Sequence, residues 1–321
     1  MKANDAYCTF VMRNDGYLPG ALVLAYALRA GETRKDLVCL ATESVSAAAK
    51  AALRLLYDRV IAVQEIRKKS CVSGGRSDRD LLMTRFQALR LGPDGDLPCH
   101  YRRLLLLDAD MLPLSGFDEL FDLPAPAGIP LEKRGYGLEL DADGNPLRET
   151  DADGKWCWHH HYEPICPHGA AIPSAITDRV RTDPGNMGIN AAIWRLDPSL
   201  IAWAQIWAAL KDPAIDRLVF HLFPWPEMQL ATLLWSGSWH CIDIRYGSIG
   251  GYPRPEQLNG IHFAGLKPWR LGSRSLPHYA RYPDFRLWYT YFAAMLCAFP
   301  SLRALPMLRR LEEFIFRGRL L

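Results

Sequence analysis

The 321-residue sequence has no apolar run near the roughly 20 residues that a membrane-spanning helix requires, and its polar start, Met1-Lys2-Ala3-Asn4-Asp5, lacks a signal-peptide core. Together these absences favour a cytoplasmic protein. There is no C-x-x-C pair among the eight cysteines (8, 39, 71, 99, 157, 166, 241 and 297), and several lie in apolar, strand-like runs where a thiol behaves as a small hydrophobe. They read as reduced and structural. A large net charge is also missing: at +3 the chain has too little basic excess to imply nucleic-acid binding. No internal repeat of useful length occurs. The 49% hydrophobic and 23% charged content excludes a wholly disordered chain.

What is present is an alternation of strand-like and helix-like segments, the pattern of a mainly parallel sheet with helices on its faces. Ala6 to Met12 reads as a strand and Pro19 to Arg29 as a helix. Leu37 to Thr42 is a second strand, Val45 to Tyr57 a second helix that Ser44 can cap, and Arg59 to Gln64 a third strand. Arg79 to Leu91 has helical spacing. Arg102 to Asp108 holds the unbroken apolar run Leu104 to Leu107 closed by polar residues, too short for a typical helix, and is expected to be a fully buried strand. After an irregular stretch the alternation resumes: Ile189 to Leu196, a helix over Pro198 to Leu210, another near Glu227 to Trp235, and a strand over Trp239 to Ile244.

The buried strand ends in Asp108-Ala109-Asp110. In open α/β sheets ligands bind at the carboxyl ends of strands, and two carboxylates two residues apart on a turning chain can both face a hard divalent cation such as Mn²⁺ or Mg²⁺. Such an ion stabilises the charge that develops on a diphosphate leaving group. The sequence contains its own controls in Asp141-Ala142-Asp143-Gly144 and Asp151-Ala152-Asp153-Gly154, which follow no apolar strand and read as turns. A second constellation, Ile261-His262-Phe263-Ala264-Gly265-Leu266-Lys267-Pro268-Trp269, holds an imidazole that can complete a shell of two carboxylates, a glycine that lets backbone approach a phosphate, and a cation.

With these residues in view, the chain resembles the family 8 glycosyltransferases over most of residues 5 to 269. That resemblance implies the GT-A fold, a mixed, mainly parallel Rossmann-like sheet flanked by helices, with an inserted lid and a helical carboxy-terminal tail. It implies a metal site of Asp108, Asp110 and His262, although the late motif is one residue shorter between Gly265 and Lys267 than the family's His-x-x-Gly-x-x-Lys-Pro-Trp. By the same likeness, Thr9, Asn14 and Tyr17 would hold uracil and ribose. Arg85, in Thr84-Arg85-Phe86, and Arg76 would contact the donor, with Ala109, Gly265 and Lys267 along the diphosphate. Asn190, Glu227 and Gln229 would stand near the reacting sugar, where Ala192 replaces a glycine and Met228 occupies the family's acid position. The implied activity is retaining transfer of a hexose, from UDP-glucose or UDP-galactose, to a glycan, protein or lipid-linked hydroxyl. Two other readings stay open: a silent sugar-nucleotide-binding scaffold, and a metal-dependent nucleotidyltransferase.

The expected division is a catalytic domain over 1–269, with an inserted lid on the acceptor side over 132–185, and an extension over 270–321. In the insert, His159, His160 and His161 invite a zinc reading, but consecutive side chains point in different directions and rarely converge on one ion. Trp156, Trp158, Tyr162 and His168 are open to stacking on a sugar or to packing on the body. From Lys267 onward there are ten Lys/Arg against three acids. This basic, aromatic tail is open to peripheral membrane contact and to simple packing, and a homodimer is one assembly the reading allows.

Overall fold

The computed structural model describes residues 4–72, 79–133, 135, 139–140, 146–147, 156–249, 255–270 and 283–317. Arg76 and the turns at 141–144 and 151–154 lie outside the described residues. The amino-terminal third follows the expected alternation: β1 (Asp5–Val11), α1 (Leu18–Ala30), β2 (Asp36–Thr42), α2 (Ala47–Leu53) and β3 (Arg59–Val63). The cap of α2 differs from expectation. Ser46, not Ser44, accepts the Ala49 N–H at 3.1 Å, because the helix starts later than its apolar spacing suggests; Ser44 bonds to Thr42 and Glu65.

Arg79–Leu91 is helical with 3₁₀ bonding, and β4 (Arg103–Leu107) and β5 (Met111–Pro113) flank the Asp108-Ala109-Asp110 turn. There follow β6 (Ala127–Pro130), β7 (Glu139–Leu140), β8 (Pro146–Leu147), α3 (Cys157–Tyr162), α4 (Ser174–Thr177), α5 (Arg179–Thr182) and β9 (Ile189–Leu196). Next come α6 (Leu200–Lys211), α7 (Pro213–Arg217) and α8 (Pro226–Leu234). Of the strand expected over Trp239 to Ile244 only β10 (His240–Cys241) forms, since the Asp243 side chain accepts the Arg245 N–H and turns the chain away. The chain continues through β11 (Ser248–Ile249), β12 (Gly260–His262), α9 (Pro283–Ala298) and α10 (Pro306–Arg317).

The main sheet runs β10-β6-β9-β4-β1-β2-β3, and four of its six pairings are parallel. β9 runs antiparallel to both β4 and β6, so the sheet is mixed but mainly parallel. Leu104 to Leu107 are buried on both faces, which is what an uninterrupted apolar strand specifies. A smaller sheet, β11-β12-β5, sits at the carboxyl edge of β4.

The insert is packed on the body from Trp156 onward. Trp156, Trp158 and Tyr162 are buried, and the Trp158 indole donates to Pro130 O at 2.7 Å. His159 accepts the Trp156 N–H on Nδ1, leaving Nε2 to bond the buried Asp243 carboxylate at 3.1 and 3.2 Å. This pairing pins α3 to the loop after β10. Burial opposes the charge on Asp243, but His159 and Arg245 hold its carboxyl well below the usual range. A group depressed in this way contributes stability above its unfolded pKa and loses it as pH falls through the folded one. His159→Ala is therefore expected to cost about 2 kcal/mol at neutral pH, and the gap from wild type should shrink as pH drops below about 4. Urea denaturation at several pH values measures both.

Tail aromatics belong to the core. Phe285, Trp288, Tyr289 and Phe292 line the buried side of α9, where Trp288 stacks on Phe292 and meets Trp269, with centroids 5.4 Å apart in each pair. On α10, Leu308, Leu311 and Ile315 are buried while Arg309, Arg310, Glu313 and Arg317 are exposed. Among the described residues no helix is long and apolar enough to cross a membrane.

Candidate metal and diphosphate site

β4 carries Asp108 to the edge of the sheet, and backbone bonds shape the turn after it. The Asp108 N–H donates to Ala192 O at 2.9 Å and the Met111 N–H to Asp108 O at 3.0 Å. Met111 then pairs with His262 in the β5-β12 ladder, and the Phe263 N–H donates to Asp110 O at 3.0 Å. Strand pairing thus brings a residue 152 positions away in sequence beside the carboxylates. α1 also approaches closely: a Cβ on Gly20 would lie 2.3 Å from Ala109 O and 2.4 Å from the Trp269 ring, so only glycine fits.

Asp108, Asp110 and His262 each offer a ligand atom within 4.8 Å of the others, the one such group among the described residues. His262 Nε2 lies 3.5 Å from Asp110 Oδ1 and 3.8 Å from Asp108 Oδ2. Both separations are too long for good hydrogen bonds. They fall between the roughly 3 Å and 4 Å that separate adjacent and opposite ligands around an octahedral ion with bonds of about 2.1 Å. Two carboxylate oxygens and one imidazole nitrogen suit Mn²⁺ or Mg²⁺, so the residues present fit the ion.

Cations surround these acids. Lys267 Nζ is ion-paired with Asp110 Oδ2 and donates to Phe263 O. Burial works against charge on Asp110, yet the Lys267 ammonium and the His262 ring hold its carboxyl far below the usual carboxylate range. Arg85, its side chain only 2% exposed, donates to Asp108 Oδ1 at 2.9 Å and to Ala191 O, and lies 3.7 Å from Glu227 Oε1. Its guanidinium lies over the rings of Trp194 at 4.4 Å and Phe10 at 5.1 Å. A planar, stacked, forked donor joins the two acidic groups in a way a lysine could not.

The group opens on a cavity of about 400 Å³, within the range of small-molecule sites. Asn14, Tyr17, Arg85, Ala109, Asn190, Glu227, Gly265 and Lys267 all line it, together with the three candidate ligands. Asn14 Oδ1 accepts the Gly16 N–H, and Tyr17 packs edge-on against Trp269 at 5.8 Å. Asn190 Oδ1 accepts the Ala192 N–H at 2.8 Å. Arg13, Met187, Trp225 and Arg270 line the cavity as well, and no motif in the sequence marks them. Arg13 has a readable signal only in its place before Asn14, and its φ of 72° is a left-handed conformation unusual for a side-chain-bearing residue.

Two expected site residues are placed elsewhere. Thr9 is buried and donates to Leu107 O at 2.8 Å, tying β1 to β4 instead of facing a nucleotide. Gln229 has no exposed surface: its Oε1 accepts the Trp225 N–H, and its Nε2 donates to Pro184 O and Asn186 O. One helical turn sets this arrangement, since Glu227 and Met228 take the cavity side of α8 and Gln229 turns inward. Gln229→Glu would aim a carboxylate at two carbonyl oxygens, and is expected to lower unfolding free energy by about 3 kcal/mol; guanidinium denaturation checks it.

No protein-family model matches the chain. It is 26% identical over 285 residues to an uncharacterized protein of Acanthamoeba polyphaga mimivirus, covering 84% of each. It is 36% identical over 124 residues to glycogenin of Neurospora crassa, a match covering 38% of this chain and 17% of that protein. The chain thus spans under a fifth of that glycogenin's length. Among solved structures, the galactosyltransferase LgtC, crystallised with donor and acceptor sugar analogues, superposes with a TM-score of 0.54 at 12% identity, over 89% of this chain and 94% of that one. In sequence and fold the chain is similar to the family 8 glycosyltransferases. Its sheet is the GT-A sheet, and Asp108 and Asp110 stand at the carboxyl edge of that sheet's β4.

Proposed function

We propose that the chain is a glycosyltransferase that takes a hexose from a UDP-sugar, UDP-glucose or UDP-galactose, and delivers it with retention to a hydroxyl of a glycan, protein or lipid-linked acceptor. The observation that carries this reading is the convergence of Asp108, Asp110 and His262 with two buried cations on the floor of one cavity. Asp108, Asp110 and His262 would hold Mn²⁺ or Mg²⁺, whose chemistry there is Lewis-acid stabilisation of a departing diphosphate.

The chain's own residues supply the rest. Asn14, Tyr17, Lys267, Arg270 and Gly265 all line the cavity, and in this reading the first two take the nucleotide end while the other three take the phosphates. Glu227 stands in the cavity wall, 3.7 Å from the Arg85 guanidinium. There its charge stabilises the positive charge that develops at the anomeric carbon. In a front-face reaction the bond from that carbon to the phosphate oxygen breaks, the bond to the acceptor oxygen forms on the same face, and the acceptor proton passes to the departing phosphate. Asn190 positions the sugar. Residues 1–269 form the catalytic unit in this reading, and the tail aromatics stiffen it from behind through Trp269.

The test is to incubate the protein with Mn²⁺ and a panel of UDP-sugars. UDP release, with one donor preferred, is the expected result. Pyrophosphate formed from UTP and a sugar phosphate, without UDP release, would replace transfer of the sugar with transfer of the nucleotide.

A further inference from the structure

Both carboxylates of the candidate metal group are already answered by fixed cations: Arg85 on Asp108 and Lys267 on Asp110. Lys267 answers the charge of Asp110 one for one, while Arg85 is shared between Asp108 and Glu227. A divalent ion entering alone would meet an ammonium already seated on one of its ligands, in a setting where burial strengthens repulsion. The chain geometry keeps that ammonium there. Only Leu266 separates Gly265 from Lys267, and the following residues are fixed, Trp269 by its indole bond to Gly16 O at 2.8 Å and Pro268 by the Tyr289 hydroxyl at 3.0 Å. The lysine therefore leaves the backbone early, and its side chain folds back onto Asp110 and Phe263 O.

We propose that Lys267 is a built-in counter-cation that makes metal binding conditional on a diphosphate. The divalent ion and the diphosphate enter together, the anion drawing Lys267 off Asp110 as the ion takes the carboxylate. This rests on the metal and diphosphate reading of the cavity. Because binding free energies are reciprocal, the metal must strengthen nucleotide binding by the factor that the nucleotide strengthens metal binding.

Mn²⁺ titrated into the full chain, with free ion followed by electron paramagnetic resonance, tests this with and without UDP. Wild type should bind Mn²⁺ weakly alone and at least about tenfold more tightly with UDP. Lys267→Met, which keeps the stem and removes the charge, should bind Mn²⁺ alone at least about tenfold more tightly than wild type and lose most of the coupling. Equal Mn²⁺ affinity of wild type with and without saturating UDP overturns the proposal, as does a folded Lys267→Met whose metal-alone affinity is unchanged or weaker. Should the variant fail to fold, the wild-type comparison decides. UDP that binds neither protein at any Mn²⁺ concentration overturns the nucleotide reading itself, and the metal-alone comparison then still decides whether Lys267 opposes the ion.

Discussion

Asp110→Asn is expected to reduce UDP release by about a thousandfold while the protein stays folded. The activity loss follows from removing one anionic ligand and the charge that positions Lys267, on the scale of deleting a preorganised electrostatic group. A stability cost accompanies it, because the buried Lys267 ammonium loses the carboxylate it pairs with. That cost is about 3 kcal/mol, less than the roughly 5–15 kcal/mol that holds a typical domain together. Circular dichroism and a single-turnover assay separate the two effects. Asp108→Asn is the companion, at a more exposed carboxylate whose partner Arg85 keeps its other contacts. Normal turnover in a folded Asp110→Asn protein would sink the assignment of the strand-end acids.

The second large effect is expected at Arg85. Arg85→Met leaves Asp108 and the buried Glu227 without their shared cation and frees the Ala191 carbonyl. Breaking one buried pair costs about 3–5 kcal/mol, and here a single group serves two acids while stacking on two rings, so about 4 kcal/mol is expected after the methionine recovers some packing. Guanidinium denaturation measures it. Activity should fall with stability, because Glu227 then loses the cation beside it in the cavity wall. Arg85→Lys should recover only part of either property, since an ammonium cannot fork or stack. A fully stable Arg85→Met protein would show that the guanidinium is not the link described.

The features written in local pattern were legible in the sequence. Arg102 to Asp108 announced a buried strand because leucine on successive positions cannot alternate between core and solvent, and β4 is that strand. His262 was a candidate ligand by its chemistry, but its meeting with Asp108 and Asp110 depends on the register of β12 on β5, which spacing does not carry, and the resemblance made the assignment. Thr9 and Gln229 show the opposite limit. A polar residue near a strand end or helix start can face a ligand or bond the backbone, and the sequence carries no sign of which. Thr9 and Gln229 took the backbone. In the tail, the signal was present but outweighed by the arginines: Phe285, Trp288, Phe292 and Leu296 recur at helical spacing, and that stripe is the buried face of α9. The insert's tryptophans were equally open to two uses, and burial of Trp156 and Trp158 selects packing.

In the proposed function this cavity binds a nucleoside diphosphate on the Asp108, Asp110 and His262 floor. Calorimetric titration of UDP into the protein in excess Mn²⁺ tests it most directly. One UDP bound per chain, with binding lost on chelating the metal and abolished in folded Asp110→Asn, is the predicted result. UDP that fails to bind the folded wild-type protein, or binds it unchanged without metal and in Asp110→Asn, would contradict the account.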